Sequence, residues 1–101
     1  MFIYNITIKV DNSIIEDWIQ WQKEIHIPEI LATGAFYDFR FFQLLDQDES
    51  DGKTFAMQYF AAVRKDYDQY IRLYAPILRE KAIRKWGDKF IAFRTLLKSV
   101  D

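Results

Sequence analysis

Two segments of this chain are apolar on both of their alternating faces, and no other feature restricts its fold so strongly. In residues 36–45, Phe36, Phe42 and Leu44 share one parity, while Tyr37, Phe39, Phe41 and Leu45 hold the other. Near the end, Phe90, Ala92 and Leu96 alternate with Ile91, Phe93 and Leu97. A strand that is apolar on both sides is buried on both sides. At 101 residues the chain is long enough for one domain, spanning residues 1–101, and its helical segments suffice for one face of a sheet. The second face is then expected to close against another copy, since two-fold self-association is the default for soluble oligomers. Nine Phe, six Tyr and three Trp agree with this, being more rings than a small monomer readily buries. An aromatic-lined pocket would absorb some of the same rings.

The remaining segments follow from period and punctuation. Phe2, Tyr4, Ile6, Ile8 and Val10 alternate with Ile3, Asn5, Thr7 and Lys9, which predicts a strand with one face in the core. Asp11-Asn12-Ser13 ends it, and Ser13 with Glu16 three residues on reads as a capping box. Ile14, Trp18, Trp21 and Ile25 form a helical stripe. Pro28 requires the helix to bend or stop near His26-Ile27, and a short second piece is expected to close at Gly34. Strands are expected at 36–45 and 54–62, joined by the acidic loop 46–52 with Gly52 supplying the turn. That loop lacks the ligand spacing of a calcium site. Asp66 to Trp86 is the second helical region, kinked or split at Pro76, with Tyr67, Tyr70, Ile71, Tyr74, Ile77 and Leu78 as its apolar face and Asp68–Arg72 as an exposed pair. Residues 89–97 form the last strand. The order β-α-β-β-α-β predicts an α+β, ferredoxin-like domain: one four-stranded antiparallel sheet with helices on one face.

Composition excludes several functions. Without cysteine there is no disulfide framework, thiolate nucleophile or cysteine-based metal centre. Fourteen basic against fifteen acidic residues give no field for nucleic acid. No apolar run reaches the length of a bilayer span, and no secretory leader is visible, so a cytoplasmic protein is expected. No phosphate loop, His-x-x-x-His pair or nucleophile elbow occurs, and with one histidine no metal and no cofactor is expected.

His26 is the only histidine, so acid–base chemistry near neutral pH would centre there. At 100° per residue it lies roughly a third of a turn from the centre of the stripe, at the edge of the helix–sheet seam. It can serve as a general base at the mouth of a cleft, with Glu29 orienting its ring. The commoner use is structural, capping carbonyls that Pro28 leaves unpaired. Arg40 and Arg94 interrupt apolar strands and either clamp an anionic ligand or pair with acids such as Asp38 or Glu29. Trp18, Trp21, Tyr70 and Tyr74 complete the candidate ligand-binding set, with core and interface packing as their ordinary alternative.

Longer runs carry a resemblance. Tyr4-Asn5, Trp18-x-x-Trp21, His26-Ile-Pro28-Glu29-Ile-Leu31-Ala32-Thr33-Gly34-x-Phe36, Gln58-Tyr59, Tyr74-Ala75-Pro76-x-Leu78-Arg79 and Gly87-Asp88-Lys89-Phe90-Ile-Ala92-Phe93-Arg94-Thr95-Leu96-Leu97 resemble a bacterial family of small uncharacterised proteins, the domain of unknown function 4286. More remotely the chain is similar to the dimeric α/β-barrel superfamily, several of whose members carry an aromatic first helix ending in a histidine just before a proline. That likeness implies a homodimer through the sheet face and a ligand pocket near His26. It leaves the chemistry open among cofactor-free monooxygenases, isomerases, haem enzymes and non-catalytic proteins, and the lack of a second histidine speaks against haem. The expected function is binding of a small, partly apolar molecule between helices and sheet. The alternatives are a cofactor-independent monooxygenase or isomerase using His26 as acid and base, and an interaction protein without a ligand.

Overall fold

Alternation of apolar and polar residues makes β1 (Phe2–Asp11) the central strand of the sheet in the computed structural model, which describes residues 1–101. It pairs antiparallel with β3 (Gly52–Ala61) on one side and β4 (Phe90–Lys98) on the other, and β2 (Asp38–Gln43) pairs with the outer edge of β3. The order β2-β3-β1-β4 is that of the ferredoxin-like fold, and each helical connection joins strands that are not neighbours. In register, Tyr4 faces Tyr59 and Leu96, Ile6 faces Met57 and Arg94, and Ile8 faces Phe55 and Ala92. The ladder of β2 is shorter than its apolar run predicts, although Tyr37 and Leu44 still donate flanking backbone bonds to Phe60 and Thr54.

The first connection is one continuous helical element of mixed pitch. A 3₁₀ turn at Asn12–Ile14 leads into α1 (Ile15–Trp21), a π turn at Gln22–His26 and α2 (Ile27–Ala32). The expected capping box does not form. Asp11 reaches the free donors first, accepting from the Ser13 backbone at 2.9 Å and from its hydroxyl at 2.6 Å, and no side chain caps α1. Nor does the helix stop before Pro28. The Ile27 amide bonds the Gln22 carbonyl five residues back, and Pro28 follows at the second position of α2, directly after the widened turn. Gly34, at φ +79°, ends α2 as expected.

The second connection is split at Tyr74 into α3 (Arg64–Leu73) and α4 (Ala75–Trp86), with Pro76 in the first turn of α4. Asp68 pairs with Arg64 at 3.6 Å instead of Arg72. Tyr70, Ala75 and Leu78 are buried, whereas Tyr74 and Ile77 of the expected apolar face lie exposed because the break rotates them outward.

Both helical elements cover the same sheet face. The core between the layers joins Tyr4, Ile6, Ile8 and Val10 of β1 and Phe55, Met57 and Tyr59 of β3 to Trp18, Ile27 and Ile30. The opposite face carries Ile3, Phe42, Phe60, Ile91, Phe93 and Leu97, with Phe93 68% exposed and Ile91 60% exposed. A hydrogen-bonded strip of Asn5, Thr7, Gln58 and Thr95 crosses it. Gly52 does not make the hairpin turn: it is the first residue of β3, and Asp46 at φ +61° supplies the left-handed turn residue. What Gly52 provides is close approach, since a Cβ there would lie 2.5 Å from the Val10 carbonyl oxygen.

Gly52→Ala is therefore expected to cost about 2–3 kcal/mol by forcing backbone apart. Gly34→Ala meets open space and is expected to cost only the left-handed conformation, about 1 kcal/mol. Urea denaturation of both variants checks the order.

Candidate functional site

A continuous α-helix from Trp18 would return residues 25 and 29 to the core side, but the π turn adds one residue to that spacing. Ile25 is thereby left 47% exposed, while His26, Ile27 and Ile30 turn inward. The inward turn brings Gln22 and His26 over the sheet, opposite α4. Between them lies a cavity of about 40 Å³, room for roughly three waters, floored by β1, β3 and β4. Most of its wall is apolar, including Trp18, Met57 and Leu78. Its polar groups belong to Gln22, His26, Arg79, Arg94 and the hydroxyls of Tyr4, Tyr59 and Tyr70.

Four of the lining residues hold a buried polar atom without a hydrogen-bond partner: Gln22 Oε1, His26 Nδ1, Tyr59 Oη and Arg79 Nε. Left dry, each such group costs about 1–3 kcal/mol, so water or a ligand bound among these residues would offset a real penalty. Gln22 is only 3% exposed. Arg79 is held in place by one bond, its Nη2 donating to the Tyr4 hydroxyl at 3.0 Å. The set offers donors from phenol and guanidinium, both amide functions of glutamine, and an imidazole that is donor on one nitrogen and acceptor on the other.

His26 stacks on Trp21 at 4.5 Å and 18°, and Trp21 in turn meets Trp86 edge-on at 5.8 Å. Burial pushes the imidazole pKa down to about 4; Glu29 opposes this, and Lys81 and Arg94 add to it. The ring is neutral at pH 7. Burial likewise raises the phenol pKa values of Tyr59 and Tyr70, with Tyr4 adding to both, so these hydroxyls stay protonated donors.

The structure brings together His26, Trp18, Tyr70 and Arg94 on the cavity wall, with Trp21 directly behind the imidazole. Glu29 and Tyr74 lie instead in a shallow groove between α2 and α4. Glu29 is ion-paired to Lys81 at 2.7 Å and neither caps α2 nor bonds His26. The expected capping by His26 also fails, its Nδ1 having no partner. Arg40 is on the far face of the sheet, paired to Asp38 at 2.8 Å and set over the Phe60 ring at 5.8 Å. Gln22, Tyr59 and Arg79 were not among the candidates drawn from the sequence. Gln22 and Arg79 sit at helical positions that an even pitch gives no reason to single out, and Tyr59 reads as one more apolar-face residue. No three acidic, histidine or cysteine side chains are grouped to hold a metal ion, and no helix is long and apolar enough to cross a membrane.

A family model described as a domain of unknown function (DUF4286) matches residues 1–100. Comparison with curated proteins finds no match. Among solved structures, the chain is similar to a dimeric ferredoxin-like protein from an uncultured marine organism, with TM-score 0.71, 12% identity, and coverage of 100% of this chain and 96% of that one. It is also similar to an ethyl tert-butyl ether D family protein from Bacillus halodurans, with TM-score 0.70, 12% identity and coverage of 99% and 100%. A third is the cofactor-independent oxygenase SnoaB from Streptomyces nogalater, with TM-score 0.62, 6% identity and coverage of 99% and 94%. At these identities the likeness shows the fold.

His26 makes stability depend on pH. Its folded pKa lies below the ordinary 6.5, so the stability of the neutral form is complete above pH 6.5 and is lost as pH falls from 6.5 toward 4. The loss attributable to this group is at most about 3 kcal/mol. Chemical denaturation across that window is expected to show the decline in the native protein and a flatter profile in His26→Phe.

Proposed function

We propose that this chain, which belongs to the DUF4286 family, is a small-molecule-binding protein whose ligand enters the cavity between the helices and the sheet. One observation carries this reading: four of the residues that line a single, mostly apolar cavity each hold a buried polar atom without a partner. A fold selected for stability alone would fill such a space with hydrocarbon. The apolar wall would hold the body of a small, partly apolar ligand, and the unpartnered atoms would fix its orientation.

The same protein is proposed to work as a homodimer joined through the helix-free sheet face. Phe42, Ile91, Phe93 and Leu97 together form an exposed apolar surface of the kind that marks an association site. That a ferredoxin-like protein with this fold is dimeric supports self-association. A second reading, catalysis of oxygenation or isomerisation without a cofactor, rests on one feature: His26, the only histidine, lines the cavity, although burial weakens its imidazole as a base. Oxygen uptake or isomer formation that disappears in His26→Phe would establish it.

Two results test the main proposal. Gln22→Leu removes an unpaired buried amide and is expected to leave stability unchanged or raise it by about 1 kcal/mol, while the variant loses any small adduct retained by the native protein in native mass spectrometry. A loss of more than about 2 kcal/mol would show that the amide serves the fold. Phe93→Asp lies on the exposed face, so it is expected to convert a species of twice the 12.2 kDa chain into a folded monomer on sedimentation. A monomeric native protein would overturn the dimer.

A further inference from the structure

We infer that the ligand of this cavity is a small organic anion, a carboxylate on an apolar body, held by Arg79 and Arg94. The inference rests on the cleft-binding reading above and names its ligand class. Ion pairs occupy Lys9, Arg40, Arg64, Lys81 and Arg84, and neither Arg79 nor Arg94 takes part in one. No aspartate or glutamate lines the cavity. The acids of α2 and α4 are already committed, Glu29 to Lys81 and Glu80 to Arg84, each at 2.7 Å, while Glu16, Asp17 and Glu24 of the first helical element are exposed to solvent. Two guanidiniums, Arg79 half-buried and Arg94 open to solvent, thus border an apolar wall that carries no counter-charge.

Position strengthens the assignment. Arg94 stands opposite Ile6 on the helix-covered side of β4, unlike Arg40, whose side chain lies on the open face beside Phe60. Arg79 approaches from α4, anchored by Tyr4, and its buried Nε–H has no partner. The Tyr59 hydroxyl adds a second free donor, and the Gln22 amide can present its N–H by rotation. A cation would meet two positive charges here, whereas an anion would meet two guanidiniums without acidic partners. A planar carboxylate matches the fork of a guanidinium, and the apolar wall suits a hydrocarbon body better than a fully hydrated inorganic anion.

The test is thermal unfolding of the full chain in millimolar formate, acetate, propionate or benzoate, each against its uncharged amide at equal ionic strength. A ligand that binds only the folded state raises Tm. At least one carboxylate is expected to raise Tm where its amide does not, with an apparent Kd weakened about tenfold or more in both Arg79→Gln and Arg94→Gln. Arg40→Gln on the open face is expected to change nothing. Should Arg79→Gln fail to fold, the solvent-accessible Arg94 and its Gln variant carry the test. Equal rises from acid and amide, or rises that survive in the folded arginine variants, would overturn the anion and leave the cleft reading standing. No rise from any acid or amide would overturn both.

Discussion

One hydrogen bond, from the Ile27 amide to the Gln22 carbonyl, sets the geometry on which the site depends. It widens a single turn of the first helical element and shifts every later residue by one position relative to the sheet. Trp18 and Trp21 before the turn and Ile27 and Ile30 after it are all buried, an arrangement that uniform α-helical spacing cannot give. The same shift expels Ile25 and brings His26 to the cavity. Pro28 fits this arrangement because it follows the widened turn at the start of α2.

Around that turn the protein combines a tightly packed aromatic core with a polar gap. Tyr4 packs against Phe36, Tyr67 and Tyr70 at 5.5–6.1 Å, and Trp18 packs against Phe41 and Phe55 at 5.1–5.8 Å. Such contacts each contribute about 0.5–1.5 kcal/mol beyond area burial, enough to offset several unsatisfied groups nearby. Of these rings, Tyr4, Trp18 and Tyr70 also line the cavity. The unpartnered polar atoms of its lining residues are free to serve a ligand, and the neutral His26 can act as acceptor or donor without bringing a charge of its own.

Much of the fold was legible in the sequence because period-2 and period-3.6 patterns are read locally. The alternation of Phe2 to Val10, the split at Pro76 and the left-handed Gly34 all translate directly into structure. The doubled apolar faces of the outer strands pointed to a surface left open by the helices, and Phe93 and Ile91 lie on it. The site was only partly legible. A constant 100° per residue set His26 at the seam's edge, whereas the π turn carries it to the cavity wall; nothing in the composition of Gln22–His26 announces that turn. Arg40 and Arg94 look alike in sequence and differ by the parity of their strands, which only the register resolves. Gln22, Tyr59 and Arg79 matter for what they fail to bond, a property invisible before the chain is folded.

The most direct measurement is the through-hydrogen-bond coupling between the Ile27 amide nitrogen and its acceptor carbonyl carbon, in isotopically labelled protein by NMR. A coupling to Gln22 is predicted, with His26 inward and Ile25 in solvent. A coupling to Lys23 would mean an unbroken α-helix with Ile25 in the core, and would contradict a site built by the π turn.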